Sequence, residues 1–224
     1  MRTNQPMENL KNMQRKHELI VIKIADGVEL HYFPLWIEDP DRLFREAEQM
    51  SFSDEIVTMY AKQNVIRRRT VDYGLAYSYN KTAKPSIEWE PLPWALKQRL
   101  EQQFRIAWPQ CACNEFIDCE AYIGPHHDKA TIIGDEKREP LYIASISLGA
   151  MRRMVLTPPD ASLKSVPITV NGLSKVPGSR VIELAPGSLV LFSNAFNSTW
   201  KHSIPKDSKA NVSGKRISLT YRHF

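Results

Sequence analysis

Residues 142–156 read Tyr-Ile-Ala-Ser-Ile-Ser-Leu-Gly-Ala-Met-Arg-Arg-Met-Val-Leu. Two short runs, 142–148 and 151–156, are rich in branched and aromatic residues, the composition that suits a pleated, half-buried surface. The same texture returns at 181–184, 188–193 and 217–221, so the chain beyond residue 115 predicts a succession of short strands. Residues 157–179 hold four prolines and two glycines and predict a long connecting excursion. Many short strands with turn-rich connections fit a double-sheet jelly roll.

Towards the N-terminus the pattern is mixed. Residues 1–17 are polar and basic without an apolar period, and predict a flexible arm. A strand over 19–24, a turn at Asp26-Gly27 and a return strand over 28–33 form a hairpin. Asp39-Pro40 predicts a helix start, with Asp39 as cap, Pro40 in the first turn, and Leu43, Phe44 and Ala47 on one face. Pro93 predicts a second helix start, with Leu96, Leu100 and Phe104 at i, i+4 and i+8. The stretch between them is less regular. It carries Arg67-Arg68-Arg69, then Tyr73, Tyr77 and Tyr79. The expected class is α+β: N-terminal helices flanking a jelly-roll core, in one globular unit over 18–224 with its core at 112–224.

Composition narrows the function classes. The chain has 224 residues, 42% of them hydrophobic, enough for a substantial core. Its charge is +5, from 30 Lys+Arg against 25 Asp+Glu, a mild excess compatible with a polyanionic partner such as nucleic acid. Three cysteines, at 111, 113 and 119, argue against a disulfide framework and for a reducing compartment. The first apolar run, 19–24, is six residues long and contains Lys23, too short for a signal core or a membrane span. A soluble intracellular protein, monomeric and without membrane attachment, is expected.

His126-His127-Asp128 is the chemically suggestive stretch. On a strand end, His126 and Asp128 point to one face, because the side-chain period is two. His202, 74 residues beyond Asp128 and just after an expected core strand, supplies a third donor. Two histidines and one carboxylate on one face of a metal leave the opposite face open, the arrangement used by non-haem Fe(II) oxygenases. Fourteen residues past His202, Arg216, Ser218, Thr220 and Arg222 alternate with Ile217, Leu219 and Tyr221. Inside a jelly roll an inward arginine needs an anion. Either a buried Asp or Glu of the chain, or a bound dicarboxylate gripped by the guanidinium, satisfies that need.

Taken together, these residues resemble the AlkB family of nucleic-acid dioxygenases from about residue 29 to the C-terminus. The anchors are His126-x-Asp128, residues 143–149 (IASISLG), Pro186-Gly187-Ser188-Leu189, Trp200-x-His202-Ser203-Ile204-Pro205, and Arg216-x-Ser218-x-Thr220-x-Arg222. The resemblance implies a double-stranded β-helix core and Fe(II) held by His126, Asp128 and His202, which are then also the catalytic centre. It implies 2-oxoglutarate as cosubstrate, with Arg216 and Arg222 on its carboxylates, Ser218 beside them, and Tyr122, four residues before His126, touching it. Residues 74–79 resemble the family's nucleotide lid, giving a lid-like segment over 62–90. The chain departs from the family pattern at Ser218 and Glu120, where Asn is usual, and at Ala130, where repair members often carry an acidic residue that helps read the base edge.

The function so implied is oxidative demethylation of alkylated nucleobases in DNA or RNA. Two alternatives stay open. One is a 2-oxoglutarate-dependent hydroxylase with another target: a 5-methyl pyrimidine, a protein side chain or a small molecule. The other is an inactive nucleic-acid-binding module. A base must leave its stack to reach a buried metal. Tyr77 and Tyr79 are candidates to stack on it, or else pack a sheet edge. Arg68 and Arg69, with Arg67, are candidates for phosphate contacts, or else form a solvated basic face.

Overall fold

The computed structural model describes residues 19–25, 27–59, 62–79, 82–133, 135, 139–165, 169–170, 173–174, 180–209, 211 and 214–224. The expected arm at 1–17 and Asp26 of the hairpin turn lie outside them. In chain order the elements are β1 (Ile20–Ala25), β2 (Val28–Phe33), α1 (Pro40–Ala47), β3 (Ser53–Met59), β4 (Lys62–Gly74), β5 (Tyr77–Tyr79), β6 (Thr82–Lys84), α2 (Pro91–Phe104), β7 (Gln110–Phe116), β8 (Ile123–His126) and β9 (Ala130–Ile132). There follow β10 (Tyr142–Gly149), β11 (Arg152–Thr157), a 3-10 turn (Ala161–Ser165), β12 (Thr169–Val170), β13 (Leu173–Ser174), β14 (Val181–Leu184), β15 (Leu189–Ser193), α3 (Asn194–Thr199), β16 (Lys201–Ile204) and β17 (Arg216–His223).

The strands pair antiparallel in three sheets. A ten-stranded sheet runs β13-β12-β1-β2-β15-β10-β17-β7-β4-β3, a four-stranded sheet β14-β11-β16-β8, and a small one β6-β5-β9. Antiparallel sheets with few helices are the arrangement a jelly-roll core requires. Each inward row of the large sheet alternates with an outward row, so its two faces build two cores. One face packs Ile143, Phe192 and Leu30 with Met154, Leu184, Phe196 and Trp200. The other packs Phe33, Ala144, Leu191 and Tyr221 with Leu43, Leu96, Leu100 and Phe104 of the helices.

Local chemistry explains the helix ends. Asp39 caps α1 by accepting from the Arg42 N–H at 3.1 Å, and Leu43 and Ala47 are buried. The second helix begins at Pro91, two residues earlier than expected from Pro93. Both prolines fit the first turn, where a backbone N–H has no helical partner. At Gly149, φ is +78°, and a Cβ would lie 2.5 Å from both the Phe44 ring and the Lys215 carbonyl. Glycine is required there for the turn from β10 to β11 and for the seating of α1.

Two stretches are more regular than their sequence suggests. The region between the helices holds β4, thirteen residues long, paired with both β3 and β7. The β texture also begins earlier than residue 115, because β7 opens at Gln110. Its first residues, Gln-Cys-Ala-Cys-Asn, lack the branched side chains that mark a strand, and cross-strand pairing decides the matter. The excursion 157–179 contains the 3-10 turn and two short strands that extend the large sheet beside β1.

Candidate metal centre and anion site

The second sheet carries two of the three expected metal donors opposite one another. In the β8–β16 pair, His126 faces His202, with ring centroids 4.4 Å apart. Asp128 follows just past the end of β8, and its Oδ1 lies 3.6 Å from His126 Nε2. One donor atom from each of His126, Asp128 and His202 falls within 4.8 Å of the others, a group that could hold a metal ion. The His126 ring has its Nδ1 2.9 Å from the Gly124 carbonyl, so Nδ1–H donates and Nε2 keeps a lone pair for a metal.

Electrostatics suits the donor set to a cation. Burial pushes the Asp128 carboxyl up, but the Arg222 guanidinium and then the two imidazoles outweigh it and hold the acid well below its usual range. Burial, reinforced by repulsion from His126, lowers His202 to about 3, so it is a neutral imidazole at physiological pH. Burial also opposes protonation of His126, but its contacts with Asp128 prevail and raise it. His202 Nδ1 is buried with no hydrogen-bond partner among the described residues. Two imidazoles and a carboxylate with one orphaned ring nitrogen fit a divalent transition metal.

The donors open into a cavity of about 80 Å³ between the sheets. Its floor is the inward row of β17, Arg216, Ser218, Thr220 and Arg222, each side by side with a β7 residue: Phe116, Asn114, Ala112 and Gln110. Phe192, Val190, Leu184, Met154 and Ile204 form apolar walls. The two arginines have different surroundings. Arg222 pairs with Asp128 Oδ1 at 3.4 Å and donates to Gln110 Oε1 at 2.7 Å. It therefore has the internal acid that one sequence reading allowed. Arg216, 2% exposed, donates to the Ser147 hydroxyl at 2.9 Å and lies over Phe116, with no carboxylate partner among the described residues. Burial, and then the neighbouring Arg152, lower its pKa to about 9. A buried guanidinium with no carboxylate of the described residues beside it suits the binding of an anion.

Several expected site residues stand elsewhere. Tyr122 is 54% exposed, with Lys206 Nζ 5.4 Å from its ring, and does not line the cavity. The reason is a bulge. His202 pairs with His126 while Ile204 pairs with Ile123, two residues against three, so Ile123 and His126 both face inward and Tyr122 turns out. Tyr77 is 5% exposed, lies 5.3 Å from the Arg222 guanidinium and donates to Asp72 at 3.0 Å. It lies on the central strand of the small sheet, packs with Ala130 and Phe224, and covers Arg222. Tyr79 pairs with Ala130 in the ladder, and its side chain lies outside the described residues. Arg69 is bound to the buried Glu115 and Arg67 to Asp118, so neither is a free cation. Arg68 points to the opposite face and reaches the Tyr122 carbonyl at 3.4 Å. Glu120 pairs with Lys206 on the surface.

The structure adds residues that the sequence reading missed. Asn114 lies opposite Ser218 in the cavity and supplies an amide beside the anion site. Asn197 bonds the backbone of Asp128. Gln110 and Asn114 share one strand face by their even spacing, a signal that becomes readable once β7 is known to be a strand. Asn197, on a helix 69 residues from Asp128, gives no local signal.

The 2OG-Fe(II) oxygenase superfamily matches residues 39–222. Alpha-ketoglutarate-dependent dioxygenase alkB homolog 3 of Rattus norvegicus is 29% identical over 157 residues, which cover 69% of this chain and 49% of that protein. DNA oxidative demethylase ALKBH2 of Mus musculus is 26% identical over 206 residues, covering 88% of this chain and 81% of that protein. The chain thus spans about half the length of the alkB homolog 3 relative. Among solved structures, OsALKBH1 aligns with a TM-score of 0.49 at 14% identity, over 87% of this chain and 97% of that one.

Proposed function

We propose, from the premise that this chain belongs to the 2OG-Fe(II) oxygenase superfamily as an AlkB-like member, that it is an Fe(II)- and 2-oxoglutarate-dependent dioxygenase that demethylates alkylated nucleobases in DNA or RNA. One observation carries the reading: the His126, Asp128 and His202 donors and Arg216, which has no carboxylate partner among the described residues, open into one cavity. His126, Asp128 and His202 hold the iron. Arg222, beside Asp128, serves the metal end of the dicarboxylate, and Arg216 the far end, with Ser218 and Asn114 alongside. Six steps along β17 separate the two arginines by about 20 Å between Cα atoms, a span that their long side chains can shorten.

Iron with 2-oxoglutarate and dioxygen supplies the oxidant that inserts oxygen into a substrate C–H bond, with succinate and carbon dioxide as coproducts. The protein's own share is positional. Neutral His202 offers its lone pair without first losing a proton, Arg216 fixes one end of the cosubstrate, and Phe192, Val190 and Leu184 exclude water. Hydroxylation of an N-methyl carbon leaves an N-hydroxymethyl group, which releases formaldehyde and the bare base.

The segment 62–90 acts as the lid over the base, with Tyr79 as stacking candidate and Arg68 as phosphate contact. The unit over 18–224 works as a monomeric soluble enzyme of cytoplasm or nucleus. No described helix is long and apolar enough to cross a membrane. A second reading is favoured by Ala130, fully buried where an acidic base reader is expected. It keeps the chemistry and changes the target to a 5-methyl pyrimidine, a protein side chain or a small molecule.

The test is incubation of iron-loaded protein with 2-oxoglutarate, ascorbate and a panel of methylated DNA and RNA oligonucleotides, read by mass spectrometry. Loss of a methyl mass with stoichiometric succinate is expected, and alanine at His126, Asp128 or His202 should abolish it. Succinate without any change in an oligonucleotide would leave the dioxygenase and remove the nucleobase. Wild-type succinate formation by any of the three variants would remove the metal assignment.

A further inference from the structure

His126 is the last ladder residue of β8, so no strand partner fixes the backbone of residues 127 and 128. Asn197 of α3 takes that place. Its Oδ1 accepts from the Asp128 N–H at 2.8 Å, and its Nδ2 donates to the Asp128 carbonyl at 3.0 Å. Its own carbonyl lies 2.7 Å from His127 Nδ1 and accepts from it. Asn197 is 4% exposed and Asp128 7%. We propose that Asn197 is a positioning residue of the metal centre. Its carboxamide presets the Asp128 carboxylate and couples the end of β8, whose segment 126–128 carries two ligands, to the connector that leads to the third. This inference rests on the reading of His126, Asp128 and His202 as metal ligands.

The chemistry of the group selects it. A strand neighbour offers one acceptor and one donor, and a carboxamide offers the same pair in one plane. Aspartate would present two acceptors and leave the Asp128 carbonyl without a donor. Leucine, of similar volume, would orphan both backbone groups in a buried site. The coupling to His202 is short. The Trp200 N–H closes α3 on the Phe196 carbonyl at 2.8 Å, and β16 begins at the next residue. Asn197 therefore sits five residues before His202 on a hydrogen-bonded connector, and a shift at one end moves the distance between donors. Metal sites are sensitive to such outer partners, whose loss typically weakens affinity about 10- to 100-fold.

The experiment compares wild type, Asn197→Leu and Thr199→Ala. Thr199 bonds the Ala195 carbonyl in the same helix and is exposed, so its loss perturbs α3 without touching Asp128. Cobalt(II) is used as probe, with affinity from equilibrium dialysis, geometry from the visible absorption of the bound ion, and melting of the metal-free protein as a stability measure. Asn197→Leu should bind cobalt about 10- to 100-fold more weakly with an altered spectrum, and Thr199→Ala should match wild type. Wild-type affinity and spectrum in folded Asn197→Leu, even with lowered melting, would reduce Asn197 to a fold residue and overturn the proposal. Lack of cobalt affinity in the wild type would overturn the metal-centre reading and this proposal with it. If Asn197→Leu does not fold, amide exchange on metal-free wild type decides. The Asp128 amide should exchange as slowly as the β16 ladder amides, and exchange at the rate of an exposed loop overturns the clamp.

Discussion

Replacing Arg216 with methionine should stabilise the metal-free protein and remove its response to 2-oxoglutarate. In the folded chain the Arg216 pKa falls from the ordinary guanidinium value to about 9 because it is buried and Arg152 is close. The sign follows directly. Folding weakens proton binding at this group, so it contributes a destabilising term at every pH below about 9, and that term fades only as pH rises from there towards the ordinary guanidinium value. At neutral pH it is fully present. At about 1.4 kcal/mol per tenfold change, the depression corresponds to roughly 5 kcal/mol. Methionine forfeits the Ser147 bond and fits imperfectly, so a net gain of about 1–4 kcal/mol is expected, within the range for replacing buried charges by apolar side chains. For a chain of this length that is a rise in melting temperature of roughly 3–10 °C. The assay is thermal unfolding near neutral pH, with and without 2-oxoglutarate and a redox-inert divalent metal. Wild type should gain about 2.7 kcal/mol when the ligand is at a hundred times its dissociation constant, and Arg216→Met should gain almost none. A metal-free variant no more stable than wild type, with its ligand-dependent shift intact, would refute the assignment of Arg216 to an anion site.

Arg222→Met should act on the metal as well as on stability, since it removes the cation beside buried Asp128. Without the guanidinium, less opposes the burial of Asp128, its carboxyl pKa rises, and metal affinity should fail at a higher pH on acidification than in wild type; equilibrium dialysis across pH measures the shift, and coincident profiles would refute it. Tyr122→Ala should leave the 2-oxoglutarate requirement unchanged, since the ring stands outside the cavity; a several-fold increase in a succinate assay would place it inside. Arg69→Ala should destabilise the fold by about 1–3 kcal/mol, because it leaves fully buried Glu115 with Lys215, at 3.5 Å, as its one cation among the described residues. Salt-dependent oligonucleotide binding by the folded variant should stay as in wild type, and a flattened salt slope would make Arg69 a phosphate contact after all.

Much of the frame was readable from local pattern. Branched and aromatic runs located β10, β11, β14, β15 and β17 to within a residue or two, because those strands bury at least one face and their composition reflects it. Asp39 and the prolines marked the helix starts through capping chemistry that acts within a single turn. β4 and β7 escaped notice because their pairing partners, rather than their own side chains, hold them extended.

The sequence alone determined which residues could share a face: His126 with Asp128, Arg216 with Ser218, Thr220 and Arg222. Period-two geometry needs no knowledge of the partner strand. The tertiary structure decided who meets whom across that face. It gave Arg222 an acid and left Arg216 without one, tied Arg69 to Glu115, and set Asn197 against the Asp128 backbone. It also turned Tyr122 outward through a one-residue bulge that reverses the parity of β8. Register and bulges are set by the summed pairing of the whole sheet, and hydrogen bonds between residues 69 positions apart leave no period in the sequence.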